Sequence, residues 1–382
     1  MLTPFDDYPV HQTALPLAQA GEGNPNFYDR FWFNGYTEDF FFAVAMGLYP
    51  NRGVIDAAFS VVANGEQRSV FASGRAPFDR SETKVGPITI EIVEPMRRGR
   101  VVVNAPEQGL VADLSFTART PVFEEDRQTR FRDNRLAMDV TRATQWGTWS
   151  GTITSNGHTI DLSDLHVFGT KDRSWGVRDV GQPTPAAPIQ QVPQAFFIWA
   201  PINFDDGALH FMAFEDELGA RWSETGAKVP VLAPGDPVTD SPFAKAPAAH
   251  ELKHVEHPTV WESELRKPKS AALTFEFEGE QQRVDLDPLF TFRMSGAGYM
   301  HPKFSHGTWI DELVVEGEAF KVEELDNAEF RNLHIQQVVR ATWPQADGTT
   351  KIGLGTLEHI VIGPHKPSGF VDLLGPAQTI GG

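Results

Sequence analysis

The 382-residue sequence contains no cysteine. That absence removes disulfides, thiolate nucleophiles, iron–sulfur clusters and cysteine-ligated zinc together. Basic residues are also few: 33 Lys and Arg stand against 51 Asp and Glu, a formal charge of −18. Such a surplus repels phosphate-rich partners at long range, so neither nucleic acid nor an anionic membrane surface is an expected partner. Long hydrophobic runs are missing. The most apolar stretch, Phe40 to Pro50, is too short to cross a bilayer. The N-terminus, MLTPFDDYPV, is acidic where a signal peptide is basic and then apolar, and the expected location is cytoplasmic. There is no Gly-x-Ser-x-Gly elbow and no phosphate-binding loop. Gly353-Leu354-Gly355 and Gly296-Ala297-Gly298 lack the third glycine of a dinucleotide fingerprint, so no cofactor is expected.

What the sequence does have is aromatic rings and alternation. Phe 28 and Trp 9 against Tyr 5 make the aromatic content almost wholly apolar, enough to fill two cores or to line a cavity for a hydrophobic ligand. Val54 to Ala63 and Gln67 to Ala72 flank Asn64-Gly65, and Gln145 to Leu162 contains Asn156-Gly157. Both dipeptides are type I′ hairpin signals. Ile88 to Val93 and Leu110 to Ala118 alternate with period two. Further β-rich runs cover 195–202, 208–215, 271–277, 289–294, 308–315, 335–343 and 353–362. Strands at this spacing predict an all-β chain of antiparallel barrels or sandwiches. Gly181 to Pro193, with four prolines and no charge, divides it into domains 1–180 and 194–382 joined by a linker, 181–193. A second Pro/Ala-rich segment, Val229 to Ala249, is a long excursion within the second half.

His250-Glu251-Leu252-Lys253-His254 spells a zinc-protease motif that works only on a helix. It follows APAA, has no apolar helical stripe and reads as a solvated edge strand, so no metal is assigned. Two other motifs carry more. Tyr28-Asp29-Arg30 runs into an aromatic strand containing Trp32 and Asn34. Ahead of the linker stands Lys171-Asp172-Arg173-Ser174-Trp175-Gly176. On an extended strand Arg173 and Trp175 share one face, which suits a guanidinium on an indole, and Asp172 and Ser174 share the other.

In this order the two motifs resemble those of the tandem lipocalin-like proteins that include AttH, carotenoid 1,2-hydratase and fungal Diels–Alderase-type cyclases. Over most of its length, from FYDRFWFNGY through DRSWGVR to GYMHP, HGTW and IGPHKPSGF, the chain also looks like a two-domain bacterial family that carries no assigned activity. The resemblance implies two lipocalin-like antiparallel β-barrels packed together, an apolar ligand cavity in or between them, and cofactor-free proton transfer, hydration or cyclisation. Where the carotenoid hydratases have a His in the signature, this chain has Arg173, which cannot donate a proton at neutral pH. Asp172, Arg173 and Trp175 are therefore open to two readings. They line a pocket, or they form a structural plug in which Trp175→Ala costs about 3–5 kcal/mol.

In the second half, Arg293 leads through a Gly/Ser-bracketed segment to Tyr299 and His301, then to His306 and Trp309. Tyr, His and Arg in one segment are what proton transfer on a phenol or alcohol needs: His removes the proton, and Arg or Tyr stabilises the oxyanion. Alternatively His301 and His306 satisfy turn backbone. Glu358 and His359 are neighbours on a strand, so one of them must point inward. The leading expectation is a cofactor-independent lyase, hydratase or isomerase acting on a hydrophobic, aromatic, hydroxylated small molecule, by dehydration or by retro-aldol release of an aldehyde. Tyr299, His301, His306 and Asp172 would be catalytic. Arg173, Trp175, Arg293, Trp309, Glu358, His359, Trp32 and Asn34 would bind substrate. The competing expectation is a carrier using the same cavity. Either could act as a homodimer.

Overall fold

The computed structural model describes residues 7–9, 20, 23–132, 134–163, 165–180, 194–263 and 265–377. Among these the only helical elements are short 3-10 turns, and every strand pairing is antiparallel. No helix is long and apolar enough to cross a membrane. The strands form two nearly closed, barrel-like sheets.

Along its main path the first sheet has the order Leu313–Lys321, Glu66–Arg75, Val54–Ala63, Phe40–Tyr49, Phe27–Tyr36, Val167–Arg178, Arg135–Ser155, Leu110–Ala118, Arg98–Ala105, Ile88–Glu94, Lys84–Val85. The second runs His250–Glu251, Arg221–Pro230, Gly207–Glu215, Ala195–Phe204, Thr350–Ile362, Ile335–Pro344, Glu280–Arg293, Pro268–Phe277, Lys253–Glu256. All described strands before residue 181 lie in the first sheet. Those after 193 lie in the second, except Leu313–Lys321, which returns to pair with Glu66–Arg75. The linker 181–193 lies outside the described residues.

Both Asn-Gly hairpins are present, with positive φ at Asn64, Gly65, Asn156 and Gly157 as a type I′ turn demands. The run Phe40–Tyr49 is a strand buried along its whole length. It shows no alternation because its two faces enter different cores. Phe42, Val44, Met46 and Leu48 fill the first barrel, whereas Phe41, Ala43 and Ala45 join Trp32, Tyr36, Phe197, Trp199, Met212 and Phe292 in a core between the sheets. The expected strand from Thr308 begins only at Leu313. The His250–His254 segment is two short, mostly exposed strands, with Leu252 and Val255 turned inward and His254 at a positive φ of 51°. The sheets are also tied by polar contacts. Gln67 exchanges side-chain bonds with the backbone of Arg293 at 2.8 and 2.9 Å, and Arg119 donates to Asn203, Phe204 and Asp205.

Candidate active site at the seam between the sheets

Period two decides which side chains reach the seam. On Phe27–Tyr36, Phe31 and Phe33 enter the first barrel, so Arg30, Trp32 and Asn34 face away from it. Pairing with Val167–Arg178 sets Asp172 opposite Trp32, and the third strand sets Thr144 opposite Asp172. From the second sheet come Trp199, His210, Gln336 and Glu358, with His334 just ahead of its strand.

Asp172 and Arg142 form an ion pair, Nε to Oδ2, at 3.4 Å. Burial pushes the Asp172 carboxyl up to about 6. Arg142 opposes that rise, and Glu125 and Glu358 reinforce it. Its Oδ1 is buried without a hydrogen-bond partner among the described residues, and so is Nε1 of Trp32. Glu125, behind the pair, goes the other way, to about 2: burial works against its charge, but His210 and Arg142 outweigh it. It accepts from Thr144 at 2.8 Å and from Trp199 Nε1 at 3.3 Å, and lies 3.2 Å from His210 Nε2. His210 is enclosed by the rings of Phe123, Trp146 and Trp199.

A second cluster stands across the seam. Glu358 meets His334 Nε2 at 2.7 Å and accepts from Gln336, whose own oxygen accepts from Asn34 at 3.3 Å. Tyr299 is edge-on to His306 and His334, with the Arg30 guanidinium 4.5 Å over its ring. Arg30 approaches both ring nitrogens of His306, at 2.9 and 3.0 Å, and His306 Nε2 lies 2.9 Å from the Ala297 carbonyl. A guanidinium has no acceptor, so Nε2–H donates to Ala297 and Nδ1 accepts from Arg30. Burial and the Arg30 charge hold His306 well below its ordinary pKa, so it is neutral at pH 7.

The charged groups of the seam are nearly enclosed. Side-chain exposure is 12% at Asp172 and 10% at Arg142 from one sheet, and 9% at Glu358 and 7% at His334 from the other. From Arg142, which lies 5.9 Å over Phe197, a run of rings leads outward: Phe197 stacks on Phe214 at 4.5 Å, and Phe214 stacks on Trp222 at 4.5 Å. That strip carries apolar surface from the charged pair toward the rim. No group of three His, Asp or Glu among the described residues is placed to hold a metal.

Of the residues expected from sequence, Trp32, Asn34, Asp172, Tyr299, His306 and Glu358 come together here. Arg173 lies on the reverse of the strand. It bonds Asp29 at 2.7 Å and the Arg30 carbonyl, and stacks 3.9 Å over Phe31 rather than over Trp175. Trp175 is only partly buried, so truncating it should cost less than the full penalty for a buried Trp. Arg293 is buried and holds the Asn332 carbonyl at 2.9 Å and the Asn327 side chain. Trp309 is 44% exposed beneath Arg75. His359 points to the interior of the second barrel, opposite Glu358. His301 accepts from the backbone N–H of Lys303 and Phe304 at 3.1 and 2.8 Å, the geometry of a turn cap.

The two histidines therefore part company. His301→Ala should cost about 1 kcal/mol or more of stability with little change in rate. His306→Ala strands the buried Arg30 charge and should cost several-fold more. Urea melts of both variants, alongside turnover, check this. Arg30, Glu125, Arg142, His210, Trp199 and His334 are seam residues that sequence reasoning missed. Arg30 had a signal, being in phase with Trp32 and Asn34. Glu125 comes from an irregular segment and had none.

A family model, described as a family of unknown function, matches residues 2–371. No curated protein matches the sequence. Among solved structures, the chain is similar to a protein from Nitrosomonas europaea provisionally described as an AttH. The TM-score is 0.50 at 13% identity, over 87% of this chain and 93% of that one. At that identity the likeness establishes a shared two-sheet fold alone.

Proposed function

We propose, from the premise that the chain belongs to DUF8625, a family of unknown function, that it is a cofactor-independent acid–base enzyme. Its substrate would be a hydrophobic, aromatic, hydroxylated small molecule bound at the seam. One observation carries the reading: a buried carboxyl shifted to about 6, Asp172, with one oxygen on Arg142 and the other unpartnered. Such a group is ionised at neutral pH yet basic enough to take a proton.

The substrate ring lies along Phe197, Phe214 and Trp222. Asp172 Oδ1 removes a proton from the substrate hydroxyl or from the carbon beside its carbonyl. Arg142 and Trp32 Nε1–H stabilise the oxygen that becomes negative. Removal of the carbon proton lets the β-hydroxyl leave as water, protonated by the Asp172 carboxyl. Removal of the hydroxyl proton gives retro-aldol release of an aldehyde, the enolate carbon then taking the proton back from Asp172. The aldol-type route breaks one carbon–carbon bond, its electron pair passing to the carbonyl-stabilised carbon. The resemblance to hydratases and cyclases of AttH-like fold is consistent with chemistry run without a cofactor. The test is a panel of aryl β-hydroxy ketones and aryl diols, read by ultraviolet absorbance and aldehyde trapping between pH 4 and 8. Turnover that rises through about pH 6 supports the reading. Saturable binding with no turnover of any member would make the protein a carrier instead.

A further inference from the structure

Where Glu358 faces the seam, the next residue of the same strand looks into a different space. The second barrel opens on a cavity of about 600 Å³, within the range of small-molecule pockets. Glu215 stands in its wall, meeting His257 Nε2 at 2.7 Å, His365 Nε2 at 2.9 Å and Arg221 Nε at 3.1 Å. Burial works against its charge, but the bonds from the two histidines hold its carboxyl far below the usual range. An ionised carboxylate can only accept, so each imidazole turns an Nε2–H to it, and the neutral tautomer that does so presents Nδ1 as a lone pair. The His365 lone pair is taken by the Ser368 hydroxyl at 2.9 Å. That of His257 is left for an occupant of the cavity.

The one guanidinium in the wall is spent. Arg221 donates to Glu215, to Glu224 at 2.9 Å, to the Val255 carbonyl and to Glu256 at 3.3 Å. The ionisable wall thus offers acceptors, and an occupant must bring the donor. The apolar part is aromatic, Phe196 and Trp261. Between these rings, at 5.9 and 5.4 Å, lies His359, fully buried, with neither ring nitrogen in a well-formed hydrogen bond. Burial, above all, depresses it to about 3, so it is a neutral polar group packed behind those rings.

We infer that this cavity is a second small-molecule site, separate from the seam, that takes a single-ring phenol. The hydroxyl donates to His257 Nδ1, and the ring lies beside Trp261. Glu215 and His365 are positioning residues that fix the imidazole.

Two probes of nearly equal shape decide the matter by titration calorimetry: 4-methylphenol, which keeps its proton at neutral pH, and its methyl ether, 4-methylanisole. The phenol should bind saturably and the ether about tenfold more weakly or worse, because it leaves the acceptor unpaired. His257→Phe, which keeps a ring but loses the lone pair, should weaken the phenol by a similar factor. Thr274→Trp, which places a bulky ring in the cavity wall, should weaken phenol and ether alike. Thermal melts establish that each variant is folded, and if either is not, the other decides. Equal affinity for phenol and ether, no saturable binding, or phenol binding unchanged in a folded variant would each overturn the assignment. The readout is binding rather than turnover, so it stands or falls independently of the seam.

Discussion

Asp172→Asn should lower turnover by about 100- to 10,000-fold, the usual loss when a general base is removed, while leaving the protein as stable as wild type or more so. The two halves of that expectation separate a catalytic carboxylate from a structural one. In the folded protein the Asp172 carboxyl titrates near 6, against 3.8 when free. A folded pKa above the unfolded one means that folding binds protons, so this group's contribution to stability is fully present below about pH 4 and is lost as pH rises through about 6. At pH 7 the ionised group opposes folding, and a neutral amide of the same shape removes that opposition. Glu125 runs the opposite way. Its folded pKa is depressed from 4.5 to about 2, so its contribution is present above about 4.5 and lost as pH falls through about 2. Denaturant melts of the variant at pH 5 and pH 7, paired with rates, check both. Large destabilisation at pH 7 with unchanged activity per folded molecule would assign Asp172 to structure.

Arg173→Met should produce the largest loss of stability among single substitutions on this strand, about 3–5 kcal/mol, as for other broken buried ion pairs. Arg173 is fully buried with Nη2 2.7 Å from Asp29, itself fully buried, and the second basic partner of Asp29, Arg80, lies at 3.5 Å. Removing the guanidinium takes from Asp29 its 2.7 Å partner and from the Arg30 carbonyl the Arg173 donor. Arg173→Lys should recover only part of the loss, because an ammonium cannot reach a carboxylate and a carbonyl in the same planar fork. Denaturation midpoints of both variants measure this. A Met variant within about 1 kcal/mol of wild type would mean that the remaining surroundings of Asp29 suffice.

The fold was legible because its determinants are local. Alternation, two Asn-Gly turns and the absence of helical periodicity are properties of short windows, and the central strands follow from them. Strand Phe40–Tyr49 escaped because a strand between two cores has no polar face to alternate with. The site was half legible. Asp172, Trp32 and Asn34 fall on motifs whose parity assigns their face once one aromatic neighbour is placed in the barrel. Arg142 and Glu125 approach Asp172 only through pairing of a long, distant strand and a loop, and no window of sequence contains that registry. His301 and His306, five residues apart in one segment, took different duties for a similar reason. One caps its own turn, and the other meets Arg30 from the far half of the chain.

The returning strand has a consequence for how the protein is made. Glu66–Arg75 pairs on one side with Val54–Ala63, and on the other with Leu313–Lys321 through nine residue pairs, closed by the Arg75–Glu312 ion pair. On a ribosome the first barrel therefore waits, its strand edge uncovered, from the emergence of residue 75 to that of residue 321. At about 5–20 residues per second that interval is roughly 10–50 s. Throughout it, an unpaired β-edge flanked by apolar side chains is open to neighbouring chains. It is the protein's own second half that covers that edge.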